Sequence, residues 1–203
     1  MSITTEKPVQ IVLLSGPLAV GKTSVRQMLI DNFGFETISS SNYLKSELTK
    51  ENKETSRLEL QNLGDKLDNL TDYRWLIDSV VKPTIEASPS QRLWLIDAVR
   101  KERQVSHFKS EFPNAVFHVH LFSSETVLRL RYENRKQHFK DKLAPSYDEA
   151  INHPNESAAR SLLSIADLAI DTERRQPYEI ADLINKNLGG GSASTCAPGD
   201  KHL

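Results

Sequence analysis

The chain has 203 residues, with 26 Lys and Arg set against 27 Asp and Glu, and a single cysteine, Cys196. This balance excludes the broad basic field of a nucleic-acid or anionic-membrane binder, so any anion site has to be built locally. One cysteine excludes an internal disulfide framework or a cysteine-built zinc site. Without an apolar run of spanning length or a secretory-type leader, a cytoplasmic protein with no membrane or nucleic-acid partner is expected, as a monomer or homodimer. The length suits one domain over residues 1–188.

Residues 1–7 form a polar lead-in, and VQIVLLS (9–15) is an apolar, β-branched run that predicts a strand buried on both faces. The next residues, GPLAVGKT, place Gly16, Gly21, Lys22 and Thr23 in the pattern G-x-x-x-x-G-K-[ST], directly before helix-forming SVRQMLIDNF. Glycines at both ends let the backbone turn tightly, so that successive N–H groups and a helix N-terminus face a polyphosphate. The motif predicts ATP as phosphoryl donor, bound by Gly16, Ala19, Val20, Gly21, Lys22, Thr23 and Ser24. Lys22 would neutralise the β- and γ-phosphates, and the Thr23 hydroxyl would ligate Mg²⁺.

The helix should end near Gly34, and residues 35–38 read as a short second strand. Potential caps at 39–42 precede a helix over 43–53. Residues 55–70 carry Leu58, Leu60, Leu63, Leu67 and Leu70 at amphipathic spacing, with Gly64 as a weak point. A further helix is expected from Thr71 or Asp72 towards Pro83. RLWLID (92–97) predicts a buried parallel strand with a carboxylate at its C-terminal end, followed by a helix over 100–112. VFHVHLF (116–122) is the next strand. Residues 123–141 predict a helix with strongly basic later turns, and a looser stretch lies between Pro145 and Pro154. A fifth strand at 166–170 and a helix at 178–188 close the pattern, and 189–203 reads as a flexible glycine-rich tail. Five short strands alternating with helices predict an α/β fold: a five-stranded parallel sheet flanked by helices, with the ligand at the strand C-termini.

Asp97 ends a predicted strand, where its carboxylate can hold Mg²⁺ opposite Thr23; the alternative is a cap for the helix beginning near Arg100. Arg100 can take an acceptor phosphate bidentately, or be an exposed arginine at a helix start. Arg131 and Arg135 lie four apart and share a helical face that can close on the transferring phosphate, with Arg129 as a substitute; the alternative is a solvated basic face paired with Glu133 and Asp141. His118 and His120 alternate on one strand face without a third ligand and read as ordinary strand residues. Trp75 and Trp94 read as core, although Tyr73 or Trp75 can stack on a base.

Several segments together carry a family resemblance. IDAVRKERQ (96–104) resembles the D-V-R-x-x-x-E segment of phage-type deoxynucleoside monophosphate kinases, and SRLELQNLGDKLD (56–68) resembles their R-x-x-L-Q-x-L-G helix. HPNESAARSLLSIADLAID (153–171) is similar to their late H-x-S-E and A-D-x-x-I segments, with Asn155 in place of the serine. ISSSNYLK (38–45) looks more broadly like the acceptor-facing segment of nucleoside monophosphate kinases. The resemblance implies a P-loop nucleoside monophosphate kinase fold with an acceptor-binding helical region over about 40–88 and a lid over about 129–155. It implies acceptor contacts at Ser40, Lys45, Arg57, Gln61 and Arg100, with Asp97 kept for the metal. The family's arginine after L-G is missing, since Asp68 and Asn69 stand there, and Lys66 or Arg74 is the compensating candidate.

The combined expectation is phosphoryl transfer from ATP to a nucleoside or deoxynucleoside monophosphate, with Lys22, Arg100, Arg131 and Arg135 as catalytic cations. A kinase for another small acceptor, such as dephospho-coenzyme A, is the nearer rival. A non-catalytic nucleotide-binding module is the more distant one.

Overall fold

A computed structural model describes residues 8–138 and 145–189. In chain order the elements are β1 Gln10–Ser15, α1 Lys22–Phe33, β2 Glu36–Thr37, α2 Ser40–Lys50, α3 Arg57–Leu70, a π-helical turn Ile77–Val81 leading into α4 Lys82–Ala87, and β3 Leu93–Ile96. They continue with α5 Glu102–Glu111, β4 Val116–Phe122, α6 Glu125–His138, α7 Tyr147–Ile151, α8 Pro154–Ser161 with a 3₁₀ turn Leu162–Ile165, β5 Leu168–Asp171, and α9 Pro177–Asn187.

The five strands pair in parallel in the order β2-β3-β1-β4-β5. Alternation along β1 explains the layering. Ile11 and Leu13 join one apolar cluster with α2, α3, the π turn and α5, whereas Val12 and Leu14 join a second with α1, α6, α7 and α9. All four are fully buried, so the strand reads as a continuous apolar run in sequence, as a central parallel strand must. Trp94 and Ile96 on β3 face the first cluster and Leu95 the second. Parallel pairing puts Ser15, Ile96, Phe122 and Asp171 at one edge of the sheet, which is where the phosphate loop leaves β1.

Three expected boundaries differ. The helix expected from Thr71 is delayed, because Asp72 and Tyr73 adopt left-handed backbone, with φ of 49° and 66°. It then runs through Pro83 instead of stopping. Lys82 N–H bonds the Ile77 carbonyl five residues back, and this widened turn relieves the crowding a proline ring imposes on the turn before it. The helix expected from Arg100 begins at Glu102, because the buried Gln104 side chain reaches back to accept the N–H groups of Arg100 (2.9 Å) and Lys101 (3.2 Å). The described partner of the Asp97 carboxylate is Arg26, and no described hydrogen bond joins it to the first turn of this helix. The stretch expected to be loose after Pro145 is helical. Ser146 and Glu149 cap α7 reciprocally, and His153 Nδ1 accepts Asn155 N–H at the start of α8. The end of the basic helix, part of the lid at 139–144 and the tail from 190 lie outside the described residues. Among the described residues no helix is long and apolar enough to cross a membrane.

Candidate functional site

The phosphate loop is held by close backbone packing. Gly16 has φ 142°, and a Cβ there would stand 2.4 Å from the Leu121 carbonyl oxygen, so only glycine lets β1 pass β4 at this point. Gly21, with φ 103°, precedes α1, and Ala19 takes a left-handed φ of 62°. The Val20 side chain is buried in the second apolar cluster, and its N–H bonds the Pro17 carbonyl at 3.4 Å, which pins this side of the loop. Thr23 and Ser24 are exposed in the first turn of α1. Lys22 Nζ curls back onto the carbonyls of Gly16 and Pro17.

The charges around Lys22 define the site. Burial lowers its pKa to about 8; Glu156 opposes that shift, Arg100 adds to it, Asp97 opposes it and Arg135 adds to it. Four charged residues from three parts of the chain, the segment after β3, α6 and α8, therefore act on the phosphate-loop lysine. Asp97, just past β3, is ion-paired through Oδ2 to Nη1 of Arg26 on α1 at 2.9 Å. Arg26 carried no sequence signal, since one turn of α1 separates it from the motif and only the fold brings β3 beside it.

The three lid arginines have separate positions. Arg131 donates to the Thr172 hydroxyl and carbonyl, both at 2.8 Å, and to the Val20 carbonyl at 3.3 Å, tying α6 to the phosphate loop and to the chain after β5. Arg135 is exposed, lies 5.6 Å from the Tyr132 ring centre, and acts on Lys22. Arg129, expected as a substitute, is paired with Asp148 and lies over the Tyr147 ring, and no described contact links it to Lys22. Glu133 is not the partner of these arginines in any hydrogen bond or ion pair described, and Asp141 lies outside the described residues.

On the acceptor side the residues are more scattered. The Gln61 amide lies 3.0 Å from Nε2 of His153, joining α3 to the start of α8. Ser40 is half-buried at the start of α2 and Lys45 is exposed further along it, and among the described residues no contact links either to the cations around Lys22. The Arg57 side chain lies outside the described residues. Arg74, expected as a compensating residue, is bound to Asp78 and Glu111. Lys66 lines a small pocket between α2 and α3 with Leu48, Glu51, Lys53, Glu59, Asn62 and Leu63. Asp68 accepts the Trp75 indole N–H at 2.7 Å, and the Trp75 ring stacks on Tyr43. That arrangement holds Trp75 in the core.

His118 and His120 prove more connected than ordinary strand residues. His118 Nδ1 is 3.4 Å from the Ile165 carbonyl, which assigns the proton to that nitrogen and leaves Nε2 to accept the Ser15 hydroxyl at 2.7 Å. Ser15 Oγ in turn accepts from His120 Nδ1 at 2.9 Å. Both imidazoles are buried directly below the phosphate loop, and burial lowers the pKa of each, that of His120 to about 4.

Mg²⁺ keeps most of its shell as water and substrate phosphate oxygens, so one hydroxyl and one carboxylate suffice as protein ligands. Thr23 and Asp97 fit that requirement, although Arg26 occupies one oxygen of Asp97. Among the described residues no group of three or more His, Cys, Asp and Glu forms a dedicated metal cage.

No protein-family model and no curated protein matches the chain. Solved structures do match its fold. A sugar kinase from Janibacter sp. HTCC2649 aligns with TM-score 0.53 and 15% identity over 90% of this chain and 97% of that one. A provisionally assigned kinase of Chloroflexus aurantiacus j-10-fl aligns with TM-score 0.53 and 17% identity over 93% and 100%. The tunicamycin resistance protein of Deinococcus radiodurans aligns with TM-score 0.53 and 15% identity over 91% and 99%. The fold is therefore shared with these proteins: an all-parallel five-stranded sheet between helical layers. These neighbours do not single out the phage-type monophosphate kinases.

Proposed function

We propose that the chain is an ATP-dependent phosphotransferase whose acceptor is a nucleoside or deoxynucleoside monophosphate. The observation that carries this reading is the convergence of Arg100 and Arg135, from separate elements, on the phosphate-loop lysine. A donor triphosphate occupies one lysine and a row of amides; two further guanidiniums match a second phosphate and the charge of the transferring group. The kinase neighbours support the donor half of the reading.

In this mechanism Lys22 and the loop amides bind the donor phosphates, and Thr23 and Asp97 would hold Mg²⁺, which would supply positive charge to the donor. Arg100 orients the acceptor phosphate, whose oxygen is already anionic and needs no protein base. Arg135 comes over the transferring phosphoryl group as α6 closes, and exclusion of water keeps the acceptor the only nucleophile. Arg131 acts on the loop through Val20 and Thr172, as a support for the donor site.

A second reading, a hydroxyl acceptor of sugar type, draws on one neighbour being a sugar kinase and on Asp97, a carboxylate at the sheet edge that can accept a hydroxyl proton. ADP release is measured with ATP, Mg²⁺ and each ribo- and deoxyribonucleoside monophosphate, then with sugars and sugar acids, using Lys22→Ala as blank. A monophosphate that raises the rate at least about a hundredfold over the blank is expected. Turnover with sugars alone replaces this reading by the second, and ATP binding without any acceptor-dependent turnover removes both.

A further inference from the structure

Glu156 stands in the first turn of α8, and its Oε2 accepts the Leu18 N–H of the phosphate loop at 2.8 Å. Of the charged groups acting on Lys22 it is the strongest. The contact places a carboxylate on a backbone N–H that a phosphate-binding loop offers its ligand, within electrostatic reach of the lysine ammonium, which itself bonds the Gly16 and Pro17 carbonyls. A phosphate oxygen and a carboxylate oxygen compete for the same kind of donor, and two fixed anions beside one ammonium repel each other.

The helix under Glu156 is anchored. His153 caps its start, and Arg160 in its last turn binds Glu125 at 2.8 Å and the Tyr147 hydroxyl at 3.3 Å. The movable part is therefore the glutamate side chain, with its flexible stem, and not α8.

We propose that Glu156 is a built-in competitor for the donor phosphates: it accepts the Leu18 N–H of the loop, lowers donor affinity, and swings away when ATP enters. The inference rests on the phosphotransferase reading only in taking ATP as donor. It makes Glu156 a determinant of donor affinity, supplied from a part of the chain 132 residues beyond the end of the loop's Ser24 and absent from the phosphate-loop pattern. Entry favours ligands with enough charge to displace a carboxylate, a triphosphate over a monophosphate.

The test is calorimetric titration of the full chain with ATP, with and without Mg²⁺, for wild type, Glu156→Gln, Glu156→Ala and Lys22→Ala. Glutamine keeps the size and an acceptor oxygen but loses the charge, and alanine keeps helix propensity, so the second variant answers if the first does not fold. Both are expected to bind ATP about tenfold more tightly than wild type, the scale of a charge-assisted hydrogen bond. Inorganic triphosphate, which lacks a base and sugar, is expected to show the same gain. Unchanged or weaker ATP binding in both variants overturns the proposal and leaves the phosphotransferase reading standing. If neither wild type nor the variants bind ATP, both fall.

Discussion

At the proposed donor end, eight consecutive residues, GPLAVGKT, carry the loop and its lysine. The proposed acceptor side is spread over Arg100 after β3 and Arg135 on α6, which act on Lys22, and over Gln61 on α3, which meets His153 before α8. The first is local in sequence and stiff, because a backbone crossing leaves no room for variation at Gly16. The second is assembled from long, partly exposed side chains whose geometry depends on how helices sit. Binding a constant polyphosphate asks for the former, and recognising a particular acceptor asks for the latter.

The most severe way to break the donor half is Gly16→Ala. A Cβ 2.4 Å from the Leu121 carbonyl, on a backbone of φ 142°, has to push β1 and β4 apart. The expected cost is about 4 kcal/mol or more, an effect of the size reserved for core and strained-backbone changes, with loss of ATP binding. A melting temperature within a degree of wild type would show that the crossing is not rigid.

Acid titration probes the support beneath that loop. The pKa values of His118 and His120 are lowered by burial, so the unfolded chain binds more protons than the folded one once the pH drops below about 6.5. Their contribution is present above that pH and is lost as pH falls towards the His120 value of about 4, with about 3 kcal/mol at stake for His120. Melting curves from pH 7 to 4.5 should show a shallower loss in His120→Asn than in wild type; parallel curves would remove the imidazole from the account.

The acceptor half responds more mildly. Arg100→Ala and Arg135→Ala are expected to lower kcat/KM for the acceptor by about tenfold each, roughly 1.4 kcal/mol, while ATP affinity stays near wild type. Arg129→Ala is the internal control and should stay within about twofold, since its guanidinium is engaged by Asp148 and Tyr147. Equal losses for all three would mean that the helix acts as a diffuse basic surface and not through positioned arginines.

Much of this was legible beforehand for a physical reason. The strand, loop and helix at the donor end follow from contiguous apolar, glycine and helix-forming residues, and all five strands fall near where apolar runs predicted them. Arg100, Arg135 and Asp97 were named from position alone, and the fold does bring them to Lys22. The ion pairs of Arg129 with Asp148 and of Arg74 with Glu111 are invisible in sequence, because a charged side chain looks equally available whether or not a distant acid pairs with it. Glu156, Arg26 and the Ser15–His118–His120 chain carried no periodicity or spacing that marks a partner more than seventy residues away.

Chemistry encoded in one short run, the binding of a polyphosphate on a glycine-bounded loop at the end of a buried strand, can be read from the residues in order. Backbone geometry and local spacing are enough to specify it. Which charges meet that loop, and which are spent elsewhere, depends on pairs such as Leu18 with Glu156 or Asp97 with Arg26. Such pairs exist only once crossovers and helix packing have closed large loops of chain, so no stretch of the sequence contains them.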